Sequence, residues 1–340
     1  MNTLRKLAFL VLSSVFVFAN ANAGELGVTG SAKVTYTVIS VDGSTTDHDT
    51  GKGLGMANEF TLGASGELDN GFTWATNIDI DGATVQDDMS MVIGMGGLGS
   101  VKFNISDGGL QKNFSSSQSV YGTPVDNGYG GSYVDASDTG TMHSIRYTTP
   151  SGLPFDTVVA VQYAPYTGSN DANSSNSAGV LDTNGNEDAT EYAVDIVPIE
   201  GLKLGASYYD ADDSATAQQE EGGAWYATYD IGSFSVGYGR SYMAMSLDTD
   251  TTNSADNYVN TQMSIAFNVN DALSISYEDI DSEANFETST SDVTMDVNSI
   301  QASYTIAGMT LSLSNEEYDN EAYTIGNKLK ETNLAMSIAF

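Results

Sequence analysis

Cysteine is absent from these 340 residues, proline occurs five times, and histidine and tryptophan twice each. Without a thiol there is no disulfide staple, no zinc–thiolate centre and no cysteine nucleophile, so stability must come from the backbone and from packing. Bases are scarce too: 11 Lys and Arg stand against 45 Asp and Glu, a formal net charge of −34. A surface this acidic repels phosphate backbones, which excludes nucleic acid as a partner and favours cations as counter-ions or as traffic. His48 lies among carboxylates, and His143 and Ser144 are neighbours that face opposite sides of any strand. No G-x-S-x-G elbow, H-E-x-x-H pair or glycine-rich phosphate loop occurs, so the chain carries no recognisable enzymatic constellation.

Long apolar runs are also missing after residue 23, which leaves no candidate transmembrane helix. The run before it is an address. Arg5 and Lys6 precede an apolar stretch from Leu7 to Phe18, and Ala21-Asn22-Ala23 supplies a small-residue cleavage site before Gly24. This layout predicts a cleaved secretory signal over residues 1–23 and one mature domain over 24–340; a retained anchor is the alternative. Cleavage removes two bases and no acids.

What the chain has in quantity is glycine (35) and tyrosine (19), with only 16% charged residues. That mixture fits an all-β protein with many turns better than a disordered chain or a helical bundle. From Leu26 onward, segments of about 8–13 residues alternate apolar with polar or small residues, the period of a strand with two unlike faces. Leu334, Met336, Ile338 and Phe340 share one face of the last segment; Ala335, Ser337 and Ala339 share the other. Sixteen such segments are predicted: 26–41, 56–67, 72–80, 88–95, 99–106, 142–149, 155–165, 189–198, 201–210, 223–230, 233–243, 257–269, 272–280, 293–306, 309–318 and 328–340.

The connections alternate in length. Short turns at 69–71, 96–98, 151–152, 200–201, 231–232, 270–271 and 307–308 carry Gly, Asn or Asp, which tolerate tight hairpin geometry. Between them lie longer loops at 42–55, 81–87, 107–141, 166–188, 211–222, 244–256, 281–292 and 319–327. A transmembrane barrel segregates its connections in this way, with short periplasmic turns on one rim and long external loops on the other. The expected fold is therefore an all-β, 16-stranded antiparallel transmembrane β-barrel. Tyr147, Tyr163, Tyr208, Tyr209, Tyr238, Tyr242, Tyr277, Tyr304, Tyr318, Phe72 and Trp74 are candidates for its aromatic girdles, ordinary strand propensity being the alternative.

If the apolar parity faces lipid, Lys33, Lys102, Arg146 and Lys203 point into the lumen, out of phase with Val34, Val101, Ile145 and Leu202. Metal binding has weaker support. Asp182, Asn184, Asn186 and Asp188 place oxygens at alternate positions as in a calcium loop, yet Glu187 stands where an EF-hand needs Gly and Ala193 where it needs Glu. An EF-hand is rejected. No other cofactor is indicated. Looser Ca²⁺ or Mg²⁺ bridging among external carboxylates is an expectation, a solvated acidic surface the alternative.

Taken together, the strand count, the acidic Gly/Tyr-rich composition, the opening Gly27-Val28-Thr29-Gly30-Ser31-Ala32 strand, the long loop between strands five and six and the terminal Phe340 resemble general diffusion porins of Gram-negative outer membranes. The likeness is greatest to the sixteen-stranded trimeric type of alphaproteobacteria, and it covers nearly all of residues 24–340. It implies a homotrimer in outer-membrane lipid and lipopolysaccharide that passes small hydrophilic solutes. It implies that Leu334, Met336, Ile338 and Phe340 are read by the barrel-assembly machinery. It also implies that the third loop folds inward and constricts the pore, with Asp107, Asp126, Asp135 and Asp138 facing the four inward bases. Many relatives carry an arginine cluster there; one Arg and three Lys predict a weaker field and a preference for cations. A solute-specific channel and a soluble or surface β-protein that binds ligands are the rival readings.

Overall fold

A computed structural model describes residues 26–340 except 44–48, 82–83, 107, 125–132, 166–185, 214–217, 248–253 and 287–290. Sixteen strands follow in chain order: β1 Leu26–Asp42, β2 Asp49–Glu67, β3 Thr73–Asp81, β4 Thr84–Gly94, β5 Ser100–Ile105, β6 Ser144–Thr148, β7 Val158–Ala164, β8 Asn186–Ile199, β9 Leu202–Asp213, β10 Glu221–Ile231, β11 Phe234–Ala244, β12 Asn257–Asn268, β13 Leu273–Asn285, β14 Val293–Ile306, β15 Met309–Asp319 and β16 Lys328–Ala339. Each pairs antiparallel with the next, and β16 returns to β1 over the register Ser31↔Ala339 to Asp42↔Lys328. The ring is closed, so no strand offers an unpaired hydrogen-bonding edge.

The two faces are the reverse of a water-soluble protein's. On β16 Leu334, Met336 and Ile338 are exposed on the outside, while Glu331, Asn333 and Ala335 between them are buried. Gln162, Gln301, Glu191, Glu278, Glu316 and Glu331 rank among the largest fully buried side chains. A sandwich would bury its apolar face; this ring turns that face out and fills its interior with polar groups.

All sixteen predicted segments are strands, but several ends move. β2 starts at Asp49 and β13 runs to Asn285, so the loops expected at 42–55 and 281–292 shrink, and that at 81–87 is nearly consumed by β3 and β4. The turn expected at 151–152 is longer, with a 3-10 turn at Pro154–Asp156. The strand extensions escaped detection because the faces exchange chemistry near the long-loop rim. There Asp281, Glu317 and Asp319 are exposed outward, and Ile280, Met295, Val297, Tyr318 and Leu329 turn inward as a small apolar core. Tyr209 and Tyr318 are thereby corrected: both are buried inside the ring. Tyr147, Tyr163, Tyr208, Tyr238, Tyr242, Tyr277 and Tyr304 are exposed on its outside.

Candidate functional site

Residues 106–143 connect β5 to β6, and the described parts of this third loop lie inside the ring. At its base the Arg146 guanidinium donates to the carbonyls of Gly108 (2.7 Å) and Gly109 (3.0 Å) and to Gln162. The loop then follows the inner wall strand by strand. Leu110 N donates to Glu191 on β8 (2.8 Å) and Lys112 N to Ser207 on β9 (3.0 Å). A 3-10 turn at Asn113–Ser116 rests on β11, where Gly237 and Gly239 carry no side chain to obstruct it. Ser116 Oγ donates to Gln262 on β12 (2.6 Å), Ser117 Oγ to Glu278 on β13 (2.9 Å) and Tyr121 N to Gln301 on β14 (2.9 Å). The returning limb is tied as well, Val134 N donating to the Tyr323 hydroxyl (2.9 Å) and Thr139 Oγ1 to Glu191 (3.0 Å). Each such bond contributes about 0.5–1.5 kcal/mol net, and roughly 1.5–3 where a charged group takes part. The wall's buried carboxylates and amides are therefore the loop's docking partners.

Opposite the loop the wall is open. Gly53, Gly55, Ala57 and Glu59 follow one another on the inward parity of β2, in register with Thr37, Thr35, Lys33 and Ser31, and the three small residues leave space. A Cβ on Gly53 would meet nothing within 4 Å, and Glu59 is exposed. On β3, Asp79 pairs with Thr61 and takes a 3.0 Å bond from Asn77 Nδ2. A polar passage thus runs between the loop and the β1–β4 arc.

The four bases expected to face inward lie on the inner parity. Lys33 Nζ sits 4.7 Å from the centroid of the Tyr121 ring. Lys102 lies in register with Arg146 and Val92, and Arg146 is engaged with the loop base. Lys203 Nζ is 3.8 Å from Asp195 and 5.5 Å from the centre of the Tyr226 ring. Of the loop acids, Asp107 and Asp126 lie outside the described residues. Asp135 is half-buried near Tyr323. Asp138 packs against Gly109 and Gly140 and accepts a 2.7 Å bond from Gly140 N. Burial pushes its carboxyl above the ordinary range, against the Gly140 and Gln111 bonds and the Arg146 charge. Burial beside Glu316 and Glu331 likewise lifts the Tyr121 hydroxyl to about 12.

An ion pair from loop to wall has the opposite polarity to that expected: Lys112 Nζ meets Asp195 at 2.8 Å, and the Tyr226 hydroxyl also donates to that carboxylate. Asp195, Glu191, Glu278, Glu59 and Asp79 were not singled out in the sequence. The signal was there, since each stands out of phase with outward neighbours such as Val194 or Tyr277, the same parity rule that selected the bases. In the expected cation loop, Asp182 and Asn184 lie outside the described residues; Asn186 opens β8, and Asp188 accepts a hydrogen bond from Tyr163. His48 also lies outside them. At the chain end, Leu334, Met336 and Ile338 face out, and Phe340 is bonded to Gly30 in both directions (2.9 and 3.0 Å) with its ring 5.7 Å from that of Phe60.

No family model and no curated protein matches this sequence. Solved structures do match in shape. OmpF of Salmonella typhi, in complex with daunomycin, superposes with a TM-score of 0.66 at 13% identity, covering 95% of this chain and 99% of that one. An anion-selective porin from Comamonas acidovorans gives 0.63 at 13% identity, with 93% and 100% covered. OmpT of Vibrio cholerae gives 0.60 at 11% identity, with 95% and 99% covered. The fold is that of bacterial porins. The likeness spans each chain almost end to end, so strand number and connection order are shared while the side chains of the passage are this chain's own.

Proposed function

We propose that this protein is an outer-membrane porin of a Gram-negative bacterium, a water-filled channel for passive diffusion of small hydrophilic solutes with a preference for cations. The observation that carries the reading is the closed ring that is apolar outside and polar inside, with a loop seated against one wall and a passage left along the other. Selectivity is read from the passage itself. Glu59 and Asp79 stand on the open arc, while Lys112 is paired with Asp195, Lys203 lies 3.8 Å from the same carboxylate and Arg146 is engaged with the loop base. A pore whose uncompensated fixed charges are negative concentrates cations and slows anions. Lys33 above Tyr121 adds a local positive charge where the loop approaches β1.

A homotrimer of the alphaproteobacterial type, surrounded by lipopolysaccharide and assembled through its C-terminal strand, completes the proposal; Phe340 sealing β16 to β1 supports the last part. Membrane fractionation followed by planar-bilayer recording in a KCl gradient tests it. The expected result is a detergent-extracted protein with unsaturable ohmic currents and a reversal potential of the sign for K⁺ over Cl⁻. A protein that dissolves in plain buffer, or passes no current in lipid, overturns it.

A further inference from the structure

Two glutamates stand side by side inside the ring where the tip of the third loop reaches it. Glu316 on β15 and Glu331 on β16 are a register pair on the inner parity, 0% and 1% exposed. Residues directly opposite across an antiparallel pair have Cβ atoms about 4.5–5.5 Å apart, and like charges so placed repel. Each carboxylate is oriented through one oxygen: the Tyr318 hydroxyl donates to Glu316 Oε2 and Asn333 Nδ2 to Glu331 Oε1, both at 2.9 Å. In the next row toward the long-loop rim, Tyr318 and Leu329 belong to the apolar core, which shuts the pair off from the outer mouth. Lys33, the inward base of the adjoining strand, is in register with Ser337, three inward rows from Glu331.

Two hydroxyls close in on the pair. Ser314, one row below Glu316 on the same strand and face, is 0% exposed, and its Oγ has no hydrogen-bond partner among the described residues. The second hydroxyl comes from the loop. Its tip is pinned over β14, Tyr121 N donating to Gln301 Oε1 (2.9 Å) and Gln301 Nε2 to the Gly122 carbonyl (2.7 Å). The Tyr121 ring carries Lys33 Nζ of β1 over its face, while its hydroxyl is enclosed, has no hydrogen-bond partner among the described residues, and is near enough to Glu316 and Glu331 to feel both charges.

A buried hydroxyl left unpartnered costs free energy, and a water or an ion is the usual answer to it. A water would serve the hydroxyls alone; a divalent cation serves the hydroxyls and offsets both carboxylates together. The donors are hard oxygens drawn from two strands and a loop, which suits the flexible shell of roughly six to eight oxygens around calcium better than the strict octahedron of magnesium. We infer that this recess binds one calcium ion, held by Glu316 and Glu331 with the Ser314 and Tyr121 hydroxyls, so that the ion ties the loop tip to β15 and β16. The site is separate from the exposed carboxylates of the outer rim, such as the register pair Asp281 and Asp296. It makes the seat of the loop tip depend on calcium.

The test is calorimetric titration of the detergent-extracted, EDTA-stripped protein with calcium chloride in about 1 M KCl, where screening over about 3 Å silences exposed carboxylates but not buried ones. Wild type should take up one calcium per chain. Glu331→Gln keeps an acceptor for Asn333 and removes one charge, so it should bind about ten-fold more weakly or worse, since ligand charge sets calcium affinity. Asp281→Asn combined with Asp296→Asn, on the outer rim, should bind as wild type does. Calcium should also slow hydrogen exchange of residues 118–122 in wild type. No uptake by wild type, uptake that Glu331→Gln leaves unchanged, or uptake lost with the rim pair overturns the inference. Should Glu331→Gln yield no heat-modifiable barrel, exchange in wild type decides, and rates at 118–122 that ignore calcium overturn it. Conductance has no part in these readouts, so their failure leaves the pore itself standing.

Discussion

An ideal Cβ on Gly237 would stand 1.8 Å from the carbonyl oxygen of Ser116, far inside contact distance. The glycine on β11 and the 3-10 turn of the third loop therefore fit only because one lacks a side chain, and Gly239 repeats the arrangement with Ser116 Oγ 2.6 Å from its own would-be Cβ. Neither glycine has a positive φ, so close approach is their reason for being there. Gly237→Ala should push the turn off the wall at a cost of about 1–3 kcal/mol, as overpacking does. The observable is a single-channel conductance that differs from wild type, together with faster proteolysis of the loop. An unchanged conductance would mean that the loop does not bound the passage.

The Lys112–Asp195 pair holds the same loop from its first limb. Both side chains are about four-fifths buried, and Tyr226 donates to the same carboxylate. Asp195→Asn removes the charge that Lys112 and Lys203 share, leaving Lys112 uncompensated among the described residues in a place water barely reaches. The loss is about 1–3 kcal/mol, read as a lower melting temperature, and the two freed cations should lower the K⁺ over Cl⁻ permeability ratio. Lys112→Met combined with Asp195→Leu should recover the stability but not the selectivity, which separates the structural role of the pair from its field.

Glu59 is exposed on the open arc and bears on selectivity alone. Glu59→Lys changes the fixed charge by two without disturbing a docked partner, so the reversal potential in a KCl gradient should move toward Cl⁻ while melting stays within about 0.5 kcal/mol of wild type. A reversal potential that does not move would place the selectivity elsewhere, with Lys33 and the loop tip as the next candidates.

Much of this fold is written in the period of the sequence, because a wall that is lipid on one side and water on the other must alternate residue by residue. That is why β14, with Ile300, Ala302 and Tyr304 outward and Gln301 and Ser303 inward, was found at its true ends. Where the outside ceases to be apolar the alternation loses its meaning. On β13, Asp279 and Asp281 follow Ile275 and Tyr277 on the same parity, and Ile280 opposite them is buried with Val297 and Leu329, so the strand was cut short at the change of solvent. The loop's path was illegible for a different reason. Its docking sites are serines, glutamines and glutamates scattered over β8–β14, and Gly237-Tyr238-Gly239 reads as plain strand until a second backbone is laid across it.

Phe340 offers a test of assembly. Its backbone closes the last rung against Gly30, and a Cβ on Gly30 would come within 3.0 Å of its ring. Deleting Phe340 removes two backbone bonds and the Phe60 contact at the one seam where the chain must meet its own beginning. The expected outcome is a steep fall in heat-modifiable, SDS-resistant barrel in the membrane fraction, with Phe340→Tyr close to wild type. Equal yields for the deletion would show that the seam closes without it.

Asp138 gives the pH dependence of the loop seat. Its proton is held more tightly in the folded loop than in a free chain, because burial outweighs the bonds from Gly140 and Gln111 and the charge of Arg146. Between the ordinary carboxylate range, about pH 4, and its raised value the folded form therefore binds more protons, and its contribution to stability falls as pH rises through that window. Asp138→Asn keeps an acceptor for Gly140 N and cannot ionise, so relative to wild type it should stabilise the loop progressively through the window and by a constant amount above it. Glu191 lies close enough to feel the Asp138 charge, so the difference between the two proteins reads Asp138 together with that interaction. Hydrogen exchange of residues 110–124 and 133–141 reads it directly: the variant should exchange several-fold more slowly than wild type at neutral pH and equally at the acid end. A difference of the opposite sign would mean that the ionised carboxyl is the form the loop needs, and that Arg146 rather than burial governs it.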